Sequence, residues 1–514
     1  MRSERMRGRD ANPSPWFDYT GSLRGRFLRT IAPLHVSGSL SSLAQGCAAL
    51  AALLLAGCAS YSGLEPRSKA VEPQALKAES TLAGAPVEAQ AWPAEDWWKR
   101  LGDPQLDVLM DEALAASPGM RVARARVDQA GAAAQVAGAA RFPTAVAGFD
   151  TTRQRYSENW IFPPPIAGSW YTTTDVGVAL AYDFDFWGRN RAAYEATLGR
   201  ERAARAEAFA ARLVLSSAIA SAYVQLARAF DQLDLARRTL EEREAVQKLT
   251  LQRVSAGLDS RLELKQVETS IPAARARLVQ LGEEIALLRH QLAALAGQGP
   301  DRGLALDRPR LAPRPIALPS ALPADLLARR PDIVASRWRV EAASRDIASA
   351  KAAFYPNVNL SALVGVQSIT WSKLFEYSSA VPSLGAAVHL PIFEGGRLRG
   401  ELAGRDADYD LAVEQYNQAL LDGLREVVDQ LASLRAVEAQ RVEVEQALAS
   451  AEEAYSLATT RYRAGLGTLL QVITAEMQVL DQRSTRVDLQ ARASTVSIQL
   501  VRALGGGFAE AAAQ

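Results

Sequence analysis

The chain has 514 residues, with 58 Lys and Arg against 57 Asp and Glu, so its formal charge is close to zero. This balance argues against a nucleic-acid partner, which would require a basic surface. With three histidines, two cysteines, no phosphate-binding loop and no Gly-x-Ser-x-Gly motif, the sequence also argues against an enzyme or a metal centre.

An apolar run near the N-terminus lies between the two cysteines. The run CAALAALLLAG, residues 47–57, has the length of a signal-peptide core and is too short to cross a bilayer. Together with Cys58 its end resembles the bacterial lipobox, whereas Gln45 makes Cys47 a poorer match. The resemblance implies that Cys58 carries diacylglycerol and an N-acyl chain such as palmitate, and that Ala59 allows sorting to the outer membrane. An inert cysteine in an uncleaved helix is the alternative.

The leader before Cys58 is longer than an ordinary signal peptide of roughly 15–30 residues. Because three arginines closely follow Leu23, a translation start near Leu23 would supply the usual positive segment. We therefore expect residues 1–57 to be a signal peptide with an over-extended N-terminus, and residues 58–96 to be a lipid-anchored segment.

The two halves of the chain repeat one another at a fixed offset. The corner QRVSAGLDSRLELKQVE at 252–268 recurs, without a gap, as TRYRAGLGTLLQVITAE at 460–476. A fixed internal period indicates tandem duplication. We predict a first repeat at 97–296, a proline-rich linker at 297–323, a second repeat at 324–505 and a tail at 506–514.

Each half is predicted to contain a helix, a strand, a loop, a strand, a very long helix, a turn and a return helix. The long helices, at about Arg189–Val254 and Arg397–Arg463, contain no proline, and each would extend about 100 Å. In the first return helix, Leu and Ile recur at coiled-coil spacing from Leu278 to Leu295, whereas Pro272 is expected to break or kink the helix.

Alternation of apolar and small or acidic residues predicts a β-strand from Val176 to Phe186 and another from Leu384 to Ile392. The first has the length of a transmembrane β-strand, although a soluble hairpin would show the same pattern. Weaker strands are expected at 145–154 and 357–367. Because lipid tolerates no open sheet edge and four strands cannot close a barrel, protomers must pool their strands, and a trimer would supply twelve.

Four more segments carry a family resemblance: WWKRLGDPQLDVLMDEAL (97–114), YDFDFWGRNR (182–191), LPADLLARRPDI (322–333) and LPIFEGGRLR (390–399). With the two corners, they resemble the TolC-like outer membrane factors, in particular the OprM/NodT lipoprotein branch of RND efflux systems. The resemblance implies a mixed α and β membrane protein. It would be a homotrimer with a twelve-stranded β-barrel in the outer membrane and a long α-helical barrel in the periplasm.

The same resemblance implies function and partners. The protein would passively export small toxic compounds, together with a periplasmic membrane-fusion adaptor, an inner-membrane RND pump and outer membrane lipid. No cofactor is implied beyond the lipid on Cys58. Two alternatives remain open: a channel for type I protein secretion, which the lipobox and LLARRPDI disfavour, and a structural coiled-coil envelope lipoprotein, which leaves the strands and glycine corners unexplained.

The resemblance also implies site residues. It places the corners at the periplasmic tip, where the adaptor would contact Arg253, Gly257, Leu258, Arg461, Gly465 and Leu466. Helix capping by glycine alone is the alternative.

Family members commonly close the tip with aspartates just after the second corner, where this chain has Gln471 and Thr474. Glu263, the counterpart of Gln471, would then place three carboxylates around a trimeric pore and favour cations. A solvated glutamate on a helix surface is the alternative.

Overall fold

The computed structural model describes residues 60–72, 75–77, 81, 87–88, 92–312, 318–319 and 329–509. The predicted signal peptide, Cys58 with its lipid, part of the linker and the end of the tail lie outside the described residues.

In the part of the chain that the structure describes, seven helices and four strands organise the fold. The helices are α1 (Pro104–Ala116), α2 (Pro118–Ala139), α3 (Arg189–Ser255), α4 (Arg261–Leu295), α5 (Pro331–Ala352), α6 (Arg397–Arg463) and α7 (Leu469–Ala503). The strands are β1 (Thr144–Arg155), β2 (Trp170–Phe184), β3 (Asn357–Ser368) and β4 (Ser383–His389). Shorter elements are 3-10 helices at Trp97–Leu101, Trp371–Lys373 and Tyr377–Ser379, a helical turn at Asp301–Leu304, and a parallel pairing of Val87–Glu88 with Leu318–Pro319.

The long helices of the two halves have equal lengths. Helices α3 and α6 each contain 67 residues, and α4 and α7 each contain 35. Both helices of the second half begin 208 positions after their counterparts. Such long helices need neighbours along their length; α3 packs against α2, α4, α5 and α7, and α6 packs against α5 and α7.

Of the two outcomes expected for Pro272, a break does not occur, because α4 continues through this residue from Arg261 to Leu295. Pro272 is exposed, whereas Val267, Ile271 and Ala274 are buried. The packed face therefore holds the helix together although the proline removes one backbone hydrogen bond. The predicted seam is confirmed: Leu281, Ile285 and Leu292 are buried, and Leu278, Leu288 and Leu295 pack against the same core.

The four strands form one antiparallel sheet in the order β1-β2-β3-β4. The register places the apolar residues of neighbouring strands opposite one another. Val178 pairs with Ala147 and Val364, and Leu180 pairs with Ala145 and Ala362. One continuous apolar face results, on which Val178, Leu180, Val364, Leu384 and Val388 are exposed. The opposite face carries Asp150, Asp175, Asn359 and Ser361. The strand predicted from Val176 to Phe186 begins earlier, at Trp170, and ends at Phe184.

Residues 60–72, which we call the strap, run along the first part of α6. The side chain of Asp410 accepts hydrogen bonds from the backbone N–H groups of Arg67 and Ser68, both at 2.8 Å. The amide of Asn417 accepts from Val71 N at 2.8 Å and donates to Lys69 O at 3.1 Å. Between Arg67 and Val71 the strap is thus held through its main chain.

At the N-terminal end of the strap, the Tyr61 ring packs edge to face on Phe354, with 5.5 Å between ring centroids. Arg399 donates to the carbonyl oxygen of Ser60. Since Arg399 is the third residue of α6, the strap starts near the end of that helix that adjoins the sheet.

Candidate functional site at the two glycine corners

The first corner joins α3 to α4 by a glycine turn. Gly257 has φ +69°, in the left-handed region, and Leu258 N donates to Arg253 O at 2.8 Å. The second corner repeats this geometry, with φ +76° at Gly465 and 2.8 Å from Leu466 N to Arg461 O. A Cβ on either glycine would meet no atom within 4 Å. Glycine is therefore needed for its backbone conformation and not for lack of space.

Each return helix starts with a capping box. In the first corner Ser260 Oγ accepts from Leu262 N at 3.1 Å, while Glu263 Oε2 accepts from Ser260 N at 2.9 Å. In the second, Gln471 Oε1 accepts from Thr468 N at 3.3 Å. Glu263 and Gln471, predicted as pore residues, thus occupy the N3 capping positions of α4 and α7. Thr474, the third pore candidate, is exposed and donates to Leu470 O at 2.8 Å.

Arg253 ties the two corners together. Its guanidinium donates to both carboxylate oxygens of Asp259, at 2.8 and 3.1 Å, and to Tyr462 O of the second half at 2.8 Å. It also lies over the Tyr462 ring, with Cζ 4.4 Å from the centroid. Tyr462 OH in turn donates to Asp259 Oδ2 at 2.5 Å and lies 3.1 Å from Thr250 Oγ1. We call Arg253, Asp259, Tyr462 and Thr250 the tip network.

Burial and charge define the electrostatics of this network. The side chains of Arg253 and Asp259 are each 10% exposed. The hydrogen bonds from Arg253 lower the pKa of the Asp259 carboxyl, and burial raises the pKa of the Tyr462 hydroxyl. Outside the network, the hydrogen bond from Ser260 lowers the pKa of Glu263. All three groups therefore favour the protonation states that support these contacts at neutral pH.

The two corners differ in what they expose. Arg253 is 8% exposed, whereas Arg461 is exposed and donates only weakly, at 3.3 Å, to Leu466 O. The difference arises because Asp259 and Tyr462 have Gly467 and Val254 as their counterparts in the other half. Leu258 and Leu466 project from the corners with 65% and 72% of their surfaces exposed. The structure thus leaves five of the six predicted contact residues open to a partner and gives Arg253 an internal role.

The sequence comparison missed Asp259, Tyr462 and Thr250. The sequence marks them only as polar residues that the other repeat lacks. Asp259 aligns with Gly467, Tyr462 with Val254, and Thr250 with Ala458. A residue shared by both repeats, such as Gly257, predicts common geometry, whereas the tip network adds three residues that are present in one repeat only. Cys58, the predicted lipid site, lies outside the described residues.

Further from the corners along the helices, polar contacts join α3 to α7. Arg243 Nε donates to Glu476 Oε1 at 3.0 Å, and Arg228 Nη1 donates to Asp488 Oδ1 at 3.0 Å. Between them Gln232 Nε2 donates to Ser484 Oγ at 3.1 Å. These contacts and the tip network together form a line of polar contacts between the first and second halves, which we call the polar seam. The tip network is the end of this seam nearest the corners.

Comparison with known proteins places these features in a family. Residues 109–298 and 322–506 match the family described as "Outer membrane efflux protein". The "Fusaric acid resistance protein FusA" of Burkholderia cepacia is 42% identical over 361 residues, which cover 69% of this chain and 68% of that protein. The "Multidrug resistance outer membrane protein MdtP" of Escherichia coli is 32% identical, covering 88% of this chain and 94% of that protein.

A solved structure shows the same fold. The outer membrane protein VceC of Vibrio cholerae superposes with a TM-score of 0.77 and 39% sequence identity, covering 81% of this chain and all of that chain. The likeness thus extends through both halves and from sequence to three-dimensional arrangement.

Proposed function

The chain belongs to the outer membrane efflux protein family, and on that premise we propose that it is the outer membrane channel of a tripartite RND-type efflux system. Membership makes the protein an outer membrane channel of efflux systems and not an enzyme. The single observation that carries the proposal is the pair of glycine corners, which present exposed leucines at the end of two long helical hairpins. A docking partner would find the same motif twice on each protomer.

The channel forms as a homotrimer. Within one chain β1 and β4 are the sheet's edge strands, and open edges are unstable in lipid because their backbone groups lack partners. Three chains together supply twelve strands, with the apolar face toward lipid and the polar face toward the lumen. The long helices continue the channel into the periplasm.

Lipid attached to Cys58 anchors each protomer. The strap supports this assignment, because Ser60 lies next to Arg399 near the sheet end of α6. Because Ser60 is only two residues from Cys58 in sequence, this contact supports the lipid anchor.

A periplasmic adaptor docks on the exposed corner residues Gly257, Leu258, Arg461, Gly465 and Leu466. Arg253 contributes indirectly by fixing the corner through the tip network. Replacing Leu258 and Leu466 together by Asp should abolish export and sensitise cells to the exported compound, while trimer still accumulates in the outer membrane. The matched control is Val442→Asp, which alters an equally exposed residue in the middle of α6.

Wild-type export by the Leu258→Asp/Leu466→Asp variant would refute docking at the corners. A photo-crosslinker at position 466 should capture an adaptor, and the adaptor should co-purify with an inner-membrane pump. Dissipating the proton gradient should stop export if that pump is of the RND type. Capture of an ATP-driven secretion partner would support the type I alternative instead.

The pore at the tip carries the Glu263 carboxylates. Three of them around a narrow opening favour cations. Single-channel recording of Glu263→Gln should show reduced cation selectivity, with Gln471→Ala as the control at the equivalent uncharged position. Unchanged selectivity in Glu263→Gln would place this residue outside the lumen and leave it a capping residue only.

A further inference from the structure

Asp406 of α6 is a buried carboxylate that makes no hydrogen bond to the part of the chain that the structure describes. The residue is 6% exposed, and neither of its carboxylate oxygens has a hydrogen-bond partner among the described residues. An ionised carboxylate in such a place is costly, because burial removes its water and no donor replaces that water. A protonated carboxyl is neutral and avoids most of this cost.

The strap lies over Asp406. One helical turn before Asp406, Leu402 belongs to an apolar cluster against which Leu64 of the strap packs. One turn after it, Asp410 accepts the hydrogen bond from Arg67 N at 2.8 Å. Residues four apart lie on the same face of a helix. The strap therefore passes the level of Asp406 between Leu64 and Arg67.

The segments around Asp406 do not supply the missing donor. In the strap, Pro66 is half-buried and has no backbone N–H, whereas the side chain of Glu65 is acidic. On α5, Ile347 belongs to the same apolar cluster as Leu402. The cover over Asp406 is thus apolar and acidic, which disfavours a negative charge beneath it.

Charged groups act on Asp406 from α5, from α6 and from the strap. They are Lys351, Asp410 and Glu65, respectively. Burial, the largest influence, raises the pKa of the Asp406 carboxyl. The positive charge of Lys351 opposes this shift, whereas the two negative charges add to it. The Lys351 ammonium lies over the Tyr61 ring of the strap, 5.7 Å from its centroid.

We propose that protonation of Asp406 controls the attachment of the strap to α6. While the strap is attached, the carboxyl holds its proton more tightly. When the strap detaches, water reaches Asp406 and accepts that proton at neutral pH. The proposal does not depend on the channel function, because it requires only contacts of the strap with α5 and α6 of the same chain.

The direction of the pH dependence follows from the raised pKa. Below the ordinary aspartate pKa of about 3.9, the carboxyl is protonated with the strap attached or detached, so attachment carries no penalty. As pH rises toward the raised pKa, attachment increasingly requires uptake of a proton or burial of a charge, and the strap is held less strongly. Above the raised pKa the penalty is constant. Acid therefore strengthens the attachment of the strap.

Hydrogen–deuterium exchange of the purified protein, followed by mass spectrometry of peptides from the strap, tests this coupling. The backbone amides of Arg67, Ser68 and Val71 are bonded to side chains of α6, so they exchange when the strap detaches. Asp406→Asn keeps the shape of the side chain but cannot ionise. After correction for intrinsic exchange rates, the three amides should exchange severalfold more slowly in Asp406→Asn than in wild type at about pH 8, and equally at about pH 4.

Asp408→Asn is the matched control, because it removes an exposed carboxylate, paired with Arg405 at 3.2 Å, from the same helix. Exchange of the strap in this variant should equal that of wild type at both pH values. Lys351→Gln removes the positive charge that opposes the pKa shift of Asp406. In this variant the weakening of the strap should therefore extend to higher pH than in wild type.

Equal exchange of Asp406→Asn and wild type at about pH 8 would overturn the proposal, as would the same slowing in Asp408→Asn. Faster exchange in Asp406→Asn at that pH would also overturn it, because the ionised carboxylate would then be holding the strap. An unchanged pH range in Lys351→Gln would contradict the assignment of the transition to Asp406.

Discussion

Arg253 and Arg461 occupy equivalent positions of the two repeats but have different surroundings. Arg253 is buried between Asp259 and Tyr462, whereas Arg461 is exposed. The sequence predicted the corner geometry because glycine, capping residues and leucine recur locally. It could not predict the tip network, because Asp259 and Tyr462 are 203 positions apart and share no local pattern.

If the tip network holds the proposed channel closed, Arg253→Ala should loosen the tip and raise single-channel conductance severalfold. Removing one partner of a buried ion pair costs about 3 kcal/mol, since the remaining charge loses its compensation. Arg461→Ala is the matched control, and its conductance should stay close to that of wild type because exposed arginines contribute little. Equal conductance of both variants in planar bilayers would contradict a closing role for the tip network.

The pH dependence of conductance provides a second measurement at this scale. Because Arg253 lowers the pKa of Asp259, the ion pair stabilises the tip above the ordinary aspartate pKa of about 3.9. This stability is lost as pH falls through the lowered pKa. Conductance should therefore be constant from about pH 7 to about pH 5 and rise only below about pH 4.

Arg253→Ala should abolish the part of that acid-induced increase that depends on the ion pair. The variant retains Glu263, whose lowered pKa also makes its capping contact sensitive to acid. Any increase that persists in Arg253→Ala arises from other carboxylates, among them Glu263 and the buried Glu476. An unchanged acid response in the variant would argue against the Arg253–Asp259 pair.

At the scale of elements, periodicity predicted most of the fold. The alternation from Val176 predicted β2, and the register then placed the apolar residues of all four strands on one face. The sequence could not reveal this register, which depends on pairing between strands from both halves. Pro272 does not break α4, because packing of the buried face of the helix outweighs the local rule against proline.

Pro272→Ala should raise the stability of α4. Alanine restores the missing backbone donor, and proline inside a helix costs up to about 3 kcal/mol relative to alanine. Thermal unfolding of the purified protein, followed by circular dichroism, should show a higher Tm. Ala273→Gly, a change at the neighbouring exposed position, should lower it slightly. A lower Tm for Pro272→Ala would mean that the packing of α4 requires a bend at this proline.

At the scale of the whole molecule, the repeats predict the contacts between protomers. The seam of α3 with α7 lies within one chain, so in the proposed trimer pseudo-symmetry would pair α6 with α4 of a neighbour. Positions equivalent to Arg243 and Arg228 in that second seam are Ala451 and Ala436. In the proposed trimer, the seam between protomers would therefore lack the arginines that form ion pairs within each protomer.

Disulfide crosslinking can test the pairing of α6 with α4 of a neighbouring protomer. The pair Gln232→Cys/Ser484→Cys, which replaces residues 3.1 Å apart, should form a bond within one chain. The equivalent pair Gln440→Cys/Ala276→Cys should join different chains and give dimers and trimers on a non-reducing gel. Both Gln440 and Ala276 are exposed in the single chain. Monomer alone from the second pair would contradict the predicted arrangement.

The manner in which the strap is held bears on how its sequence can vary. Between Arg67 and Val71 it is bound through backbone groups, which are the same for every residue except proline. Natural substitutions should therefore accumulate freely in this stretch among related proteins, whereas Asp410 and Asn417, which recognise it, should vary little. Selection would act on Asp410 and Asn417 and leave residues 67–71 of the strap almost unconstrained.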